Sequence, residues 1–440
     1  MIAGRAGIIA GTAVVLVATE LVAQQPQLQI TLAEAIRRAL DVQPAMVQAR
    51  GDVRNAGASN LAAAGAFLPT INVGGSSNLS SPNRYNTSTG QQVFAPSNTS
   101  YSGSLSLNLN LFDGFQRLSS KRAAAANEAA ADAGLVNQRY QMSAATAQVF
   151  FAALATEELV RVGKAQVDRA KEELQISVNK FTAGAATRSD TLTATVDLGN
   201  ARLSLLQAEA NLATAQANLG RQIGVDQLVR ALPDTSLPPP PDTTGFRVQA
   251  LESSPVVEQT EAKARAAGAQ ASVAHSEYWP NLSVSYSNGY TGVDSMRRIG
   301  LTPWSTTQNY VNNWALRFSL SWTIFNGFSR EADQVSTSVL RDVAQATAAD
   351  TRRQMNAQLT QQIAALFTAH AQISITGANV AAATEARRVT QERYRLGAGT
   401  LLDLLTAEAN MTQAQVNEVQ ARYNYLVARA QVEALVGHPL

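Results

Sequence analysis

Two aspartates are the residues best placed to do chemistry. Asp190 closes the stretch Thr187-Arg188-Ser189-Asp190 and Asp403 closes Thr400-Leu401-Leu402-Asp403, an offset of 213 residues (403 − 190). A threonine followed three residues later by an acid, at the head of a helical pattern, is a capping signature. The hydroxyl takes a free amide and the carboxylate complements the positive helix end. That is electrostatic work, not bond-making, and the rest of the inventory agrees. Cysteine is absent, which removes disulfides, thiolate metal sites and cysteine nucleophiles. His275, His370 and His438 stand far apart and make no ligand motif. No Ser/His/Asp order, phosphate-binding glycine loop or metal-ligand cluster occurs. No enzymatic activity, cofactor or metal is expected. Net charge is +2 with both signs dispersed and no basic run, so nucleic acid is not an expected partner.

Each aspartate needs a helix turn to hold it, and the two turns align residue by residue. Lys180-Phe181-Thr182-Ala183-Gly184-Ala185 matches Arg393-Tyr394-Arg395-Leu396-Gly397-Ala398. The glycines suit the left-handed position that ends a helix. Before the first turn, Phe115–Phe181 contains no proline and has glycine only at Gly134 and Gly163. That is roughly 65 helix-compatible residues, on the order of 100 Å at the helical rise. So long a helix requires lateral packing along its length. A second helix runs from Arg188 to about Gln222, with Gly224 just past it. The second copy places a long helix over Ser329–Leu396 and a return helix over Leu401–Val436, ending at Gly437. Much of the apolar content is alanine and only 6% of residues are aromatic, which fits extended helical layers with thin cores.

Ahead of each long helix lies a strand. Leu105, Leu107, Leu109 and Leu111 alternate with serine and asparagine, and Trp314, Leu316, Phe318, Leu320, Trp322 and Ile324 alternate with smaller or polar residues. The junctions Phe112-Asp113-Gly114-Phe115 and Phe325-Asn326-Gly327-Phe328 then turn sheet into helix. The expected strands are Ile71–Leu79, Tyr101–Leu111, a run beginning at Leu282, and Trp314–Ile324, with polar loops over Ser81–Ser97 and Asn288–Asn313. About ten residues with one apolar face cross a bilayer when tilted. A spanning sheet must close, and four strands cannot enclose a lumen, so two, three or four copies would have to share one barrel. A water-exposed antiparallel sheet shows the same alternation. Ser102, Ser104, Asn108, Asn110, Ser283 and Ser285 would line a wet, weakly selective lumen. Arg317 would add a cationic ring or sit at the rim.

The remaining organisation is read from composition. Residues 1–23 resemble an export signal, with Arg5 before an apolar Ile8–Val17 run and a cut after Ala23, and no cysteine follows to take a lipid. Residues 24–231 form a first repeat of helix, two strands and a long helix pair. Residues 232–245, LPDTSLPPPPDTTG, read as an extended linker, and residues 246–440 repeat the first plan. Thr31-Leu32-Ala33-Glu34 reads as a capping box opening a helix that Pro44 kinks.

The paired FDGF and FNGF junctions, the Ala183-Gly184 and Leu396-Gly397 turns with their aspartates, and Ala421-Arg422-Tyr423-Asn424-Tyr425-Leu426 together resemble the TolC-like outer membrane efflux protein family. The resemblance covers essentially the whole mature chain. It implies a membrane α+β fold: a homotrimer whose four strands per chain make one twelve-stranded transmembrane β-barrel in outer membrane lipid, continued through the periplasm by an α-helical barrel. The implied function is a passive exit duct of a tripartite efflux or type I secretion system. Its implied partners are a periplasmic adaptor and an inner-membrane transporter of RND, ABC or MFS type. The turns Ala183-Gly184-Ala185 and Leu396-Gly397-Ala398 become the adaptor-docking tip. Asp403 falls on a constricting aspartate, Tyr394 on a tyrosine of the closing network, and Ser189-Asp190 on its partners. Gly399 and Thr406 replace an arginine and a second aspartate of the best-known member. Either Arg393 or Arg395 therefore substitutes in the lock, or packing holds it shut. The alternative from another class is a periplasmic or surface scaffold of long helical hairpins.

Overall fold

A computed structural model of the chain describes residues 28–80, 84–93, 98–233, 237–240, 253–295, 309–438 and 440. The expected export signal and most of the proline-rich linker lie outside the described residues.

The chain opens with a short strand β1 (Leu28–Ile30) and helices α1 (Leu32–Val42) and α2 (Pro44–Gly65). Pro44 occupies the first turn of α2, where its missing N–H costs nothing, and the chain breaks at Gln43. The Thr31 hydroxyl caps α1 by accepting from Glu34 N at 3.4 Å. The other half of the expected box does not form: Glu34 instead accepts from Arg38 one turn on, at 2.7 Å, a charge-assisted bond stronger than one to a neutral amide.

Strand β2 (Thr70–Ser80) follows, then a small hairpin β3 (Arg84–Asn86) and β4 (Gln91–Val93), then β5 (Asn98–Asp113). Helix α3 (Gln116–Thr182) and α4 (Arg188–Ile223) form a long hairpin, and β6 (Val229–Ala231) pairs in parallel with β1. Helix α5 (Pro255–Ala274) and a 3₁₀ turn lead to β7 (Asn281–Ser295), β8 (Asn309–Ser321), α6 (Ser329–Arg395) and α7 (Leu401–Val436). Helices α3 and α6 are each 67 residues long and α4 and α7 each 36. Both pairs keep the 213-residue offset (329 − 116 and 401 − 188).

The four main strands form one antiparallel sheet in the order β2-β5-β7-β8. The expected loops are partly sheet. The β3–β4 hairpin lies within Ser81–Ser97, and β7 and β8 run into Asn288–Asn313 because residues 288–295 and 309–313 find cross-strand partners. The fourth strand stops at Ser321 rather than Ile324. Its partner β7 begins at Asn281, opposite Ser321, so nothing remains to pair with. Trp322 instead donates its indole N–H to Tyr278 O at 3.2 Å. The register builds two distinct faces. Ile71, Leu107, Tyr286 and Leu316 lie in one row on the apolar face, and Thr70, Asn108, Ser285 and Arg317 in one row on the polar face.

At both sheet-to-helix junctions a Gly-Phe pair takes left-handed backbone: φ is 64° and 66° at Gly114 and Phe115, 69° and 67° at Gly327 and Phe328. A phenylalanine there costs about 1–2 kcal/mol, so other contacts must offset it. Phe112 and Phe115 meet edge to face at 5.5 Å, and Phe325 and Phe328 at 5.3 Å. Arg117 is fixed by Asp113 at 2.6 Å. Its counterpart Arg330 has no acid four residues back, because position 326 is asparagine, and its nearest carboxylate, on Glu331, is at 3.7 Å. It donates instead to the carbonyls of Glu277, Thr323 and Ile324.

The helices pack as layers along their length. The first half of α3 lies against α2 and α5, α5 lies also against α6, and α3 meets α7. The largest apolar cluster sits at mid-length, where Phe150, Phe151 and Leu154 of α3 meet Leu219 and Ile223 of α4 under the β1–β6 pair. Among the described residues no helix is long and apolar enough to cross a membrane.

Candidate functional site

The two helix turns lie side by side at one end of the molecule, joined by a small apolar cluster of Ala194, Tyr394, Leu401 and Leu404, with Leu174, Ile176 and Leu405 packed around it. Each turn is built locally. Ala185 N donates to Lys180 O at 2.7 Å and Ala398 N to Arg393 O at 2.8 Å, bonds that close the helix end around Gly184 (φ 73°) and Gly397 (φ 77°). Ala183, Gly184, Ala185, Leu396, Gly397 and Ala398 are all exposed.

Both aspartates complete capping boxes. Asp190 N donates to Thr187 Oγ1 at 3.2 Å, and Thr187 N donates to Asp190 Oδ2 at 3.0 Å. The distances at Thr400 and Asp403 are 3.1 and 3.0 Å. The two bonds from Thr400, backbone first, hold the Asp403 carboxyl below the usual carboxylate range, with help from the charge of Arg393. Asp403 is exposed, Asp190 half-buried and Ser189 exposed.

Neither arginine of the second turn reaches the first hairpin. Arg393 donates to Ala398 O of its own turn at 3.4 Å, and Arg395 pairs with Glu392 on its own helix at 3.4 Å. Their stems leave α6 on its exposed side. The cross-hairpin contact comes from Lys180, which sits 4.0 Å over the Tyr394 ring and donates to the Tyr394 carbonyl. Nor does Tyr394 bond to Ser189 or Asp190. Its ring is buried, its phenol lies beside the Ser177 hydroxyl, and neither group completes a hydrogen bond. Burial, followed by the charges of Asp190 and Glu173, pushes the phenol up from its usual range. Lys180 was legible only as the counterpart of Arg393. Nothing in its own neighbourhood marks it as the residue that spans the hairpins.

The sheet brings the three remaining candidates together. Asn108 and Arg317 share the polar row described above, and Asn110 lies in the next row opposite Ser283. All three are exposed. Among the described residues no group of three or more His, Asp and Glu is placed to hold a metal ion.

The family model for outer membrane efflux protein matches residues 35–225 and matches again over 247–438. The outer membrane efflux protein BepC of Brucella suis biovar 1 (strain 1330) is 26% identical over 434 residues, covering 94% of this chain and 87% of that one. In fold the chain is similar to the outer membrane protein VceC of Vibrio cholerae (TM-score 0.75, 18% identity, 93% of this chain and 96% of that one). It is also similar to the CmeC outer membrane channel of Campylobacter jejuni (TM-score 0.76, 18% identity, 92% and 85%).

Proposed function

Since this chain belongs to the outer membrane efflux protein family, we propose that three copies close into one continuous duct, shut at its periplasmic tip by packing between neighbouring helical hairpins. The chain is an outer membrane exit duct for an efflux system and extends into the periplasm.

The observation that carries the trimer is the open sheet. Among the described residues β2 and β8 are edges without an outer partner, and the apolar face, from Val73 across to Trp314 and Phe318, is bare. In hydrocarbon every backbone N–H and C=O needs a partner, so a four-stranded sheet cannot span alone. Joining β8 of one copy to β2 of the next removes both edges. Three copies, the number the family resemblance implies, give twelve strands. The polar rows then face the lumen and place Asn108, Asn110 and a ring of three Arg317 side chains along it.

The hairpins support the same closure. Tyr394 and Leu405 of the α6–α7 hairpin pack against the α3–α4 hairpin. Their counterparts 213 residues earlier, Phe181 and Leu192, are 44% and 57% exposed. A neighbouring copy's α6–α7 hairpin would cover them and continue the ring. The exposed turns are then left to dock a periplasmic adaptor, whose inner-membrane transporter supplies the energy. The duct itself does no chemistry.

Because the chain lacks cysteine, the closure is testable by paired substitution. Gly74→Cys on β2, combined in turn with cysteine at each position from 313 to 319 on β8, is oxidised in whole outer membranes. The reading expects covalent trimers at alternate positions of the series. Monomers throughout, or an open ladder of higher oligomers, would refute it.

A further inference from the structure

Between the tip and mid-length, four helices meet around two buried carboxyls. Glu173 of α3 is 1% exposed and is set against Glu408 of α7, close enough to share a hydrogen bond. Glu408 is held on its other sides by Arg169 of α3, at 2.8 Å, and by Arg387 of α6. Asp197 of α4 faces the same cluster, and Ser177 and Tyr394 close it toward the tip. With Glu173 neutral and Asp197 ionised, the charges of Glu408 and Asp197 balance those of Arg169 and Arg387, and no cation is left for a second ionised glutamate. Among the described residues Glu173 Oε1 and Arg387 Nη2 have no hydrogen-bond partner.

We infer that the Glu173–Glu408 contact is a proton-dependent tie between the α3–α4 and α6–α7 hairpins, formed when Glu173 carries a proton and released when that proton leaves. The geometry requires it. Two carboxylates in contact in a site this dry cannot both be charged, whereas a neutral Glu173 donates its O–H to Glu408 and leaves Glu408 to the two arginines. Burial first, and Glu408 second, push the Glu173 carboxyl up to about 9. The same two causes, in the same order, raise Asp197.

The sign follows. With the hairpins apart, Glu173 is hydrated and ionises in the ordinary carboxyl range, so the tied form holds one proton more than the separated form between that range and about 9. Rising pH therefore favours separation, by up to about tenfold per pH unit per chain, and the effect saturates above the upper limit. Separation of the hairpins is what a tip that opens requires. The consequence for flow rests on the tip being the constriction, but the tie does not.

The test is a distance. Spin labels at Ala183→Cys and Ala398→Cys in the assembled full chain report the separation of the two turns by pulsed electron resonance from pH 6 to pH 10. The short distance should give way to a longer one as pH rises, and adding Glu173→Gln, which keeps a donor but cannot titrate, should hold it short throughout. A distance that ignores pH, or a Glu173→Gln chain that moves like its parent, overturns the tie. Should Glu173→Gln fail to assemble, Glu408→Gln provides the second arm. It frees both arginines for Glu173, so an ionised Glu173 pairs with Arg387 of α6 across the hairpins and the distance should stay short throughout; opening at the parent's midpoint is contrary. Conductance recorded on the same samples separates the two ideas. A pH-driven change in distance without a change in conductance leaves the tie standing and removes the gate from the tip.

Discussion

Replacing Lys180 by methionine keeps the stem that packs beside Tyr394 and removes the charge. Two interactions are lost. The ammonium lies 4.0 Å over the ring, and at a half-buried position such a contact is worth roughly 0.5–2 kcal/mol. The bond to the Tyr394 carbonyl, from a charged donor, adds on the order of 1.5 kcal/mol before solvent screening reduces it. Taking about 1 kcal/mol per chain as the surviving total, the ratio of closed to open tips falls about fivefold for each chain. Three chains opening together would multiply that to roughly 10². Single-channel recording of purified trimers in planar bilayers measures it as open probability. Lys180→Arg, which retains charge and ring contact, should recover most of the loss. A Lys180→Met trimer of normal size with unchanged open probability would refute the assignment of the clamp to this lysine. Packing of Leu401, Leu404 and Ala194 would then hold the tip alone.

Other outcomes follow from the same geometry. Gly224→Ala should cost clearly more stability than Gly184→Ala in urea unfolding. Both glycines have positive φ, worth about 1–2 kcal/mol to an alanine, but a Cβ at Gly224 would lie 2.4 Å from Val42 Cγ1 and one at Gly184 meets nothing. Asp403 has a lowered carboxyl pKa, so its capping contribution is present above the ordinary carboxylate range and is lost as pH falls through the lowered value. Thr400→Ala should move that carboxyl back up, read by NMR titration of labelled aspartate. Arg317→Gln should shift the reversal potential in a salt gradient toward cations, since on the proposed closure it removes a cationic ring from the lumen; an unmoved potential places Arg317 at the rim instead.

What the sequence showed and what it withheld divide along the range of the interaction. Capping at Thr187 and Thr400, the left-handed turns at Gly184 and Gly397, and the alternation that builds β5 and β8 depend on residues a few positions apart, and all are visible in the letters. The half-formed box at Thr31 shows the limit even there. Glu34 had two partners within one turn, and the arginine won on charge. Strands β1 and β6 are three residues each, too short to alternate, and exist because the α3–α4 base gives Val229 and Ile30 an apolar seat. Lys180 over Tyr394 and Glu173 against Glu408 join residues more than two hundred positions apart. They depend on how one hairpin is rotated against the other, a quantity that an alanine-rich helix with a weak apolar stripe does not encode locally. The contacts of Arg393 with Ala398 and of Arg395 with Glu392 are short-range and lie within the single chain.

The central claim is that one chain supplies a third of a hollow duct. Single-particle electron microscopy of detergent-extracted protein addresses it most directly. The account predicts end-on views with a three-fold ring around an open centre, and side views of a cylinder at least ~100 Å long, the length of a 67-residue helix. Solid particles, or monomers released from membranes without detergent, would contradict it and favour a scaffold of helical hairpins.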